Sequence, residues 1–334
     1  MANELESATR ESPLAEEARG LTRATAERKT ISVVVPVFYN AESLPGLFEA
    51  LVKLEQELET RSVGLELIFV DDGSADDSLS RLLEFKHARP GTKVVKLTRN
   101  FGAIAASKMG FHFVTGDAFM ILAADLQDPP ELILTMVDRW LNGAKYVVAA
   151  REQRDDSLES RLFARIYYRL IRTIAVRDYP EGGYDLSLMS RDFLSLLRHS
   201  AKNINTPLYA FWLGFKPEFV RYTRRRREHG RSRWTFWKRL KFFLDSVLGF
   251  SIVPIRFMSA FGLLVALGSF MHAGLIAFNT ILHGTTVPGF ATIVTLITFL
   301  LGLVILMLGV IGEYLWRIFD EVTRKPEAVI DQVY

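Results

Sequence analysis

The first half of the chain alternates between short apolar runs and longer segments with apolar residues at helical spacing. Residues 31–37 form a β-branched run that is typical of a buried parallel strand. Residues 42–60 carry leucines at the spacing of an amphipathic helix. Further strands are predicted at 65–70, 93–97, 118–124 and 146–150, with helices at 76–87, from 103 to 113 and at 130–141. Repeated βαβ units predict an α/β fold with a mainly parallel sheet and flanking helices.

The second half contains a long segment without charge. No Lys, Arg, Asp or Glu occurs between residues 257 and 312. Within it, residues 257–279 and 290–311 are each long enough, at about 1.5 Å per residue, to cross a hydrocarbon core of about 30 Å. We therefore predict a hairpin of two transmembrane helices, with a pair of buried core helices as the less favoured alternative. Basic residues flank both ends of the pair, which predicts cytoplasmic ends.

These patterns divide the chain into five predicted parts. Residues 1–30 lack the apolar core of a signal peptide and are predicted to be a disordered leader. Residues 31–230 form the cytoplasmic α/β domain, and 231–256 mix basic and aromatic residues as an interfacial helix does. Residues 257–312 hold the two spans, and 313–334 form a cytoplasmic tail. The expected location is the inner (plasma) membrane, with several passes.

Polar side chains follow three of the predicted strands. They are Tyr39, Asn40 and Glu42 after the first strand, Asp71 and Asp72 after the second, and Asp125, Gln127 and Asp128 after the fourth. Ligands bind at the carboxyl edge of an open α/β sheet. One acidic turn is usually structural, whereas three on one edge favour a ligand site.

Exclusion narrows the class of ligand. The first strand is not followed by Gly-x-Gly-x-x-Gly, and no P-loop motif occurs in the chain. The chain contains no cysteine, so thiolate metal sites and disulfides are excluded. Carboxylates that face an anionic ligand need a cation between them, and hard oxygen ligands select Mg²⁺ or Mn²⁺. A nucleotide diphosphate bridged by such an ion fits the pattern.

Six motifs in this order resemble glycosyltransferase family 2, and within it the polyisoprenyl-phosphate glycosyltransferases. The motifs are Val-Pro-Val-Phe-Tyr-Asn-Ala-Glu (35–42), Val-Asp-Asp-Gly-Ser (70–74), Arg-Asn-Phe-Gly (99–102), Asp-Leu-Gln-Asp-Pro-Pro-Glu (125–131), His-Gly-Arg-Ser-Arg-Trp (229–234) and Gly-Glu-Tyr-Leu-Trp-Arg-Ile (312–318). The resemblance extends from residue 33 to about residue 322. It implies a GT-A fold and an enzyme that moves a sugar from a nucleotide diphosphate sugar to a polyprenyl phosphate. A UDP-sugar, undecaprenyl phosphate and an inverting reaction are favoured.

The resemblance also implies roles for individual residues. The residues that it implies for nucleotide binding are Pro36, Tyr39, Glu42, Asp71, Asp72 and Arg99. Asp125 and Gln127 would place the metal ion, and Asp125 and Asp128 are the candidate catalytic residues. Two alternatives remain open, because Pro36 could only end a strand and Tyr39 could only pack in the core.

The acceptor phosphate is expected to meet a second group of residues, which are Arg151, Arg154, Asp185, Arg231 and Ser232. Arginine is the preferred phosphate ligand because its guanidinium is a planar fork of donors. The alternatives are solvated surface charge for Arg151 and Arg154, a turn cap for Asp185, and attraction to anionic lipid for the basic stretch near Arg231. The implied partners are the donor, the lipid acceptor and the membrane, with no nucleic acid. A homo-oligomer, a tetramer by family analogy, is also expected.

One position departs from the family. Members usually have Asp-x-Asp before Leu-Gln, and the first of these positions is Ala123. One or two carboxylates with phosphates and water suffice for many divalent ions, so Asp125 with Gln127 remains a feasible site. The alternative is a membrane-tethered nucleotide-sugar-binding protein without activity. A processive polysaccharide synthase would carry Gln-x-x-Arg-Trp and more spans, which this chain lacks.

Overall fold

The computed structural model describes residues 28–125, 130–151, 167–173, 176–177, 179–180, 183–202, 204–222, 243, 246–251, 253–283 and 289–334. The strands are β1 (Thr30–Val37), β2 (Gly64–Asp71), β3 (Lys93–Leu97), β4 (Ala118–Ile121), β5 (Tyr146–Arg151), β6 (Tyr184–Ser190), β7 (Glu218–Tyr222) and β8 (Ile330–Val333). The helices are α1 (Leu44–Thr60), α2 (Ser78–Ala88), α3 (Ala103–Phe111), α4 (Pro130–Leu141), α5 (Asp192–Arg198), α6 (Thr206–Trp212), α7 (Val253–His283) and α8 (Phe290–Val322).

All of these strands belong to one sheet, in the order β7-β5-β6-β4-β1-β2-β3-β8. β1 pairs in parallel with β2 and β4, β2 with β3, and β5 with β7. The predicted α/β class with a mainly parallel sheet is confirmed. Because β1, β2, β3 and β4 run in the same direction, the turns that follow them lie on one edge of the sheet.

The sheet separates two apolar cores. Side chains alternate across β1, so that Val33 and Val35 lie in one core and Val34 in the other. Helices α1, α2 and α4 cover the first face, and α3, α5 and α6 cover the second. The leucines predicted to share one face of α1 are buried as expected: Leu44, Leu47, Leu51, Leu54 and Leu58.

β6 enters the sheet between β4 and β5 and runs antiparallel to both. Residues 184–190 carry no strong local signal for a strand, and the sequence pattern did not predict one there. Since β6 is antiparallel, its first residues lie beside the last residues of β5 and extend past the end of β4, whose Met120 pairs with Leu188. This insertion places the start of β6 on the same edge as the turns after β1, β2 and β4.

Pro36 does not end β1, as the simpler interpretation of the sequence suggested, because it lies inside the strand and pairs with Val70. Pro36 instead limits the length of the neighbouring strand β4. The amide of Leu122 still donates to the carbonyl of Val34, at 2.9 Å, and the next bond of the ladder would need an N–H at residue 36. Proline has none, so β4 ends at Ile121 rather than at residue 124 as predicted. The following residues are released as a turn.

The two long helices lie where the sequence predicted transmembrane segments, and they contain 31 and 33 residues. By length and composition, one segment in the described part of the chain could cross a membrane: Phe299–Val322 of α8. The described apolar stretch of α7, Val253–Val265, is shorter. A hairpin of two spans is therefore not confirmed and stays a prediction.

The chain returns to the sheet after α8. Residues Ile330–Val333 pair antiparallel with β3 as the edge strand β8. The predicted tail at 313–334 thus includes the end of α8 and a strand of the α/β domain.

Candidate active site

The turn after β1 is held against the loop after β2 by three backbone amides. Tyr39 N–H donates to Ser74 Oγ at 3.1 Å, Asn40 N–H to Ser78 Oγ at 2.9 Å, and Ala41 N–H to Asp76 Oδ2 at 3.3 Å. These three N–H groups lie beyond the end of β1, where no neighbouring strand accepts their hydrogen bonds, so side chains of the second loop take that role. The motif Val-Asp-Asp-Gly-Ser contains Ser74, but sequence reasoning assigned no role to Asp76 or Ser78. Their spacing after β2 was the signal that could have revealed them.

Tyr39 adopts an unusual backbone conformation at this turn. Its φ is +55°, a left-handed value that costs free energy for a residue with a Cβ. Its side chain is 43% exposed and meets the Phe38 ring edge-on at 4.7 Å. Core packing, one of the two interpretations left open for Tyr39, is therefore wrong. The ring instead stands at the surface of the candidate site.

Asp71 and Asp72 are both buried at the end of β2. Asp71 accepts a hydrogen bond from Ser74 N–H at 3.3 Å. Burial raises the pKa of Asp71 above the ordinary 3.8, with further contributions from the charges of Asp76 and Asp72, although the hydrogen bonds from Ser74 oppose the shift. Its carboxylate is therefore an acceptor whose negative charge is poorly solvated, as suits a partner for hydroxyl or N–H donors of a ligand.

Asp72 organises the turn after the neighbouring strand β3. One carboxylate oxygen accepts from Phe101 N–H at 2.7 Å, and the other accepts from Gly102 N–H at 2.9 Å. Burial raises the pKa of Asp72, and these two bonds and the nearby charge of Arg99 oppose the shift. Each oxygen thus already accepts one backbone hydrogen bond, which fixes the 99–102 turn to the end of β2.

Gly73 allows the two turns to approach each other closely. Its φ is +72°, and a Cβ at this position would lie 2.7 Å from the carbonyl carbon of Arg99. Only glycine fits such a position without a shift of the backbone. The guanidinium carbon of Arg99 lies 4.1 Å from the centre of the Phe101 ring, a cation–π contact that holds the side chain over the turn.

The turn after β4 leaves two positions partly open to solvent. Leu122 and Ala124 are buried, whereas Ala123 and Asp125 are half-exposed. Ser43 Oγ donates to the carbonyl of Ala124 at 2.8 Å, which ties this turn to the start of α1. Residue 123, where the family usually has a carboxylate, is therefore partly accessible in the same turn as Asp125.

The acceptor candidates are only partly within the described residues. Arg151 ends β5, and Asp185 is the second residue of β6. Because Ala150 pairs with Tyr184, the backbones of the next residues, Arg151 and Asp185, lie near each other on the edge that also carries Asp125.

The remaining candidates are placed as follows. Glu42 is exposed in the turn before α1. Gln127, Asp128, Arg154, Arg231 and Ser232 lie outside the described residues.

Among the residues that the structure describes, no three or more His, Asp or Glu side chains are grouped so that they could hold a metal ion. Asp125 offers one hard, half-exposed oxygen donor. Ions such as Mg²⁺ commonly use one or two carboxylates and complete their coordination with phosphates and water. Asp125 therefore fits a divalent ion that arrives with a phosphorylated ligand.

Acidic turns on the carboxyl edge of a mainly parallel sheet are typical of α/β enzymes that bind a ligand there. Residues 32–204 match the family described as Glycosyl transferase family 2, and the chain belongs to this family. It is a glycosyltransferase, and its sheet has the GT-A type of architecture that the motifs implied.

Related proteins match nearly the whole chain. It is 32% identical over 306 residues to an uncharacterized glycosyltransferase of Synechocystis sp., covering 91% of this chain and 95% of that protein. It is also 32% identical over 305 residues to the prophage bactoprenol glucosyl transferase homolog of Escherichia coli K12, covering 91% and 99%. Among solved structures, the mannosyltransferase PcManGT of Pyrobaculum calidifontis in complex with GDP-Man and Mn²⁺ has a TM-score of 0.45 at 17% identity, covering 66% of this chain and 65% of that one.

Proposed function

We propose that this glycosyltransferase moves a sugar from a nucleotide diphosphate sugar, with a UDP-sugar favoured, to a polyprenyl phosphate, with undecaprenyl phosphate favoured. The observation that carries the proposal is that the turns after β2 and β4, which carry Asp71, Asp72 and Asp125, lie on the same sheet edge as the end of β5 and the start of β6, which carries Asp185. The name of the E. coli relative, a bactoprenol glucosyl transferase homolog, supports a lipid acceptor.

The nucleotide side of the proposed site lies between the turns after β1 and β2. Asp71 is proposed as the acceptor for a donor group on the base or the ribose, which requires a shift of the surrounding turn because its side chain has no exposed surface, and the exposed Tyr39 ring is a suitable surface for the base. The remaining residues proposed for this side are Pro36, Glu42, Asp72 and Arg99. Asp72 acts through the turn that it holds, because both of its oxygens bond to backbone amides.

The diphosphate is proposed to lie against the turn after β4. Asp125 and Gln127 would hold a Mg²⁺ or Mn²⁺ ion there, and this ion would supply charge stabilisation for the departing diphosphate. An oxygen of the lipid phosphate attacks the anomeric carbon in line, the new carbon–oxygen bond forms, and the bond to the nucleoside diphosphate breaks with inversion. A phosphate dianion needs no base to attack, and Asp128 is the candidate proton acceptor for a monoprotonated phosphate.

The acceptor is proposed to approach from the β5–β6 side. Arg151, Arg154 and Arg231 would bind its phosphate, with Asp185 and Ser232 beside them. The apolar segment Phe299–Val322 of α8 is long enough to cross a membrane, which supports a membrane-bound enzyme; a second span in α7 and a cytoplasmic position of the α/β domain are part of the proposal. The acceptor then diffuses in two dimensions, with its phosphate held near the catalytic edge.

A transfer assay with labelled donor tests the proposal. Membranes that contain the protein are incubated with a radiolabelled UDP-sugar, undecaprenyl phosphate and Mg²⁺ or Mn²⁺, and the lipid is then extracted into organic solvent. We expect label in the organic phase for the wild type and none above background for Asp125→Asn, because the amide loses the charge that faces the diphosphate. Asp192→Asn is the matched control, since Asp192 pairs with Lys145 before β5, away from the catalytic edge.

The results separate the proposed enzyme from the alternative that Ala123 motivates. If the wild type binds UDP-sugar but labels no lipid, and Ala123→Asp does label it, the chain is a nucleotide-sugar-binding protein and the proposal is wrong. Turnover by Asp125→Asn at the rate of Asp192→Asn would refute the role of Asp125. Trials of other nucleotide sugars in the same assay identify the donor.

A further inference from the structure

The segment after α8 contacts the α/β domain at both sides of the 99–102 turn. Thr98 N–H donates to the carbonyl of Val329 at 3.0 Å, just before the turn. Lys108, which lies in α3 after the 99–102 turn, pairs through its Nζ with Glu327 Oε2 at 2.7 Å. Two residues of the C-terminal segment that are only two positions apart thus bind the chain on either side of one short loop.

The enclosed loop is the one that Asp72 binds. Phe101 and Gly102 donate their amides to Asp72, and the Arg99 backbone packs on Gly73. α3 begins directly after Gly102, and Ala106 N–H donates to the Gly102 carbonyl at 3.0 Å, so Lys108 and the loop are joined by one short helix. The C-terminal segment therefore contacts the chain on both sides of a loop that borders the candidate nucleotide site.

The ion pair between Lys108 and Glu327 is buried. The Lys108 side chain is 2% exposed and that of Glu327 is 15% exposed. Lys108 Nζ also donates to the carbonyls of Ser200 and Ala201, both at 3.1 Å. A buried ammonium with one carboxylate and two carbonyls around it is fully coordinated, and removal of the carboxylate leaves a buried charge without its counter-ion.

The same junction reaches the end of the long helix. Lys202 Nζ donates to the carbonyl of Asp320 in the last turn of α8, at 2.8 Å, and Glu327 follows α8 by five residues. Residues 200–202 therefore bind α3 through Lys108 and α8 through Lys202. The position of α8 relative to the sheet is linked to the loop at residues 99–102.

We propose that Glu327 is a positioning residue: its ion pair with Lys108, together with strand β8, holds the 99–102 loop in the arrangement that binds the donor nucleotide. The inference rests on the proposed function, in which this loop borders the nucleotide. It assigns the C-terminal segment to donor binding, beyond its part in the sheet.

The first test needs no ligand and no turnover. Hydrogen–deuterium exchange is measured on the full chain in detergent for the wild type, Glu327→Gln and Asp192→Asn. Asp192 is the matched control, because its ion pair with Lys145, at 2.7 Å, is exposed and lies outside the C-terminal segment. We expect the peptide that contains Phe101 and Gly102 to exchange about tenfold faster in Glu327→Gln, equivalent to about 1.4 kcal/mol, with no change in Asp192→Asn or in peptides of β1.

The second test uses the transfer assay and separates the two substrates. Glu327→Gln should raise the KM for the UDP-sugar about tenfold and leave the KM for undecaprenyl phosphate unchanged, as expected for an effect on one loop. Lys108→Met, which removes the other partner of the pair, should act in the same direction.

The two tests distinguish a failure of the positioning role of Glu327 from a failure of the proposed function. Unchanged exchange at residues 99–102, or equally faster exchange in β1, would overturn the positioning role even in an active enzyme. Equal rises in both KM values would also overturn it. A wild type without transferase activity refutes the proposed function, whereas the exchange result is read without turnover.

Discussion

Replacement of Asp72 with Asn probes how firmly the end of β2 holds the neighbouring loop. The carboxylate accepts one backbone N–H on each oxygen, from Phe101 and Gly102. Asparagine keeps the shape but has one accepting oxygen, and its amide group would face the second N–H. A buried donor left without an acceptor costs about 1–3 kcal/mol. The substitution also removes a buried charge, so we expect a loss near the lower end, about 1–2 kcal/mol.

The expected loss is measurable as a melting temperature. For a domain of this size each kcal/mol corresponds to about 2–4 °C, so the detergent-solubilised Asp72→Asn variant should melt about 2–8 °C below the wild type. UDP affinity, measured by calorimetry, should fall as well, because the 99–102 loop is no longer fixed. Asp77→Asn is the matched control, since Asp77 is exposed at the start of α2 and makes no side-chain capping bond.

The contrary result is clear. If Asp72→Asn has the same melting temperature as Asp77→Asn and the same affinity for UDP as the wild type, the two hydrogen bonds do not hold the loop. The interpretation of Asp72 as its organiser would then be wrong.

Two further predictions concern the same edge. Gly73→Ala should melt at a lower temperature than Gly214→Ala, because both residues have positive φ but only the Cβ at residue 73 would meet backbone atoms, at 2.7 Å; equal melting would contradict the close approach. UDP affinity should fall with decreasing pH from a midpoint above 3.8, because burial raises the pKa of both Asp71 and Asp72 and their accepting carboxylate forms are lost as they protonate. A binding titration from pH 7 to pH 3 measures that midpoint, and a midpoint at or below 3.8 would contradict the prediction.

Local patterns were sufficient for the parallel half of the sheet. The β-branched run at 31–37 and the leucine spacing of 42–60 predicted β1 and α1 to within two residues, because buried parallel strands and amphipathic helices follow their own periodicities. The same patterns placed Asp71, Asp72 and Asp125 at strand ends, and hence on one edge. The family motifs added the class of enzyme.

The other strands depended on contacts between distant residues. β6 lies between β4 and β5, and β8 joins β3 from more than 230 residues away in the sequence. Such pairings have no local signature, because a strand needs only neighbours with unpaired backbone groups and a compatible register, wherever they lie in the sequence. The end of β4 was missed for the same reason, since the missing N–H belongs to Pro36 of another strand.

The sequence by itself determined the fold class, the acidic strand ends and the absence of one carboxylate at Ala123. Tertiary structure decided how these residues act. It buried Asp72 beneath the amides of a neighbouring loop, exposed Tyr39 in a strained turn, and left both Ala123 and Asp125 half-exposed in the turn after β4. It also placed Glu327 against Lys108. Burial, hydrogen-bond partners and pKa depend on which segments meet, and only the folded chain brings them together.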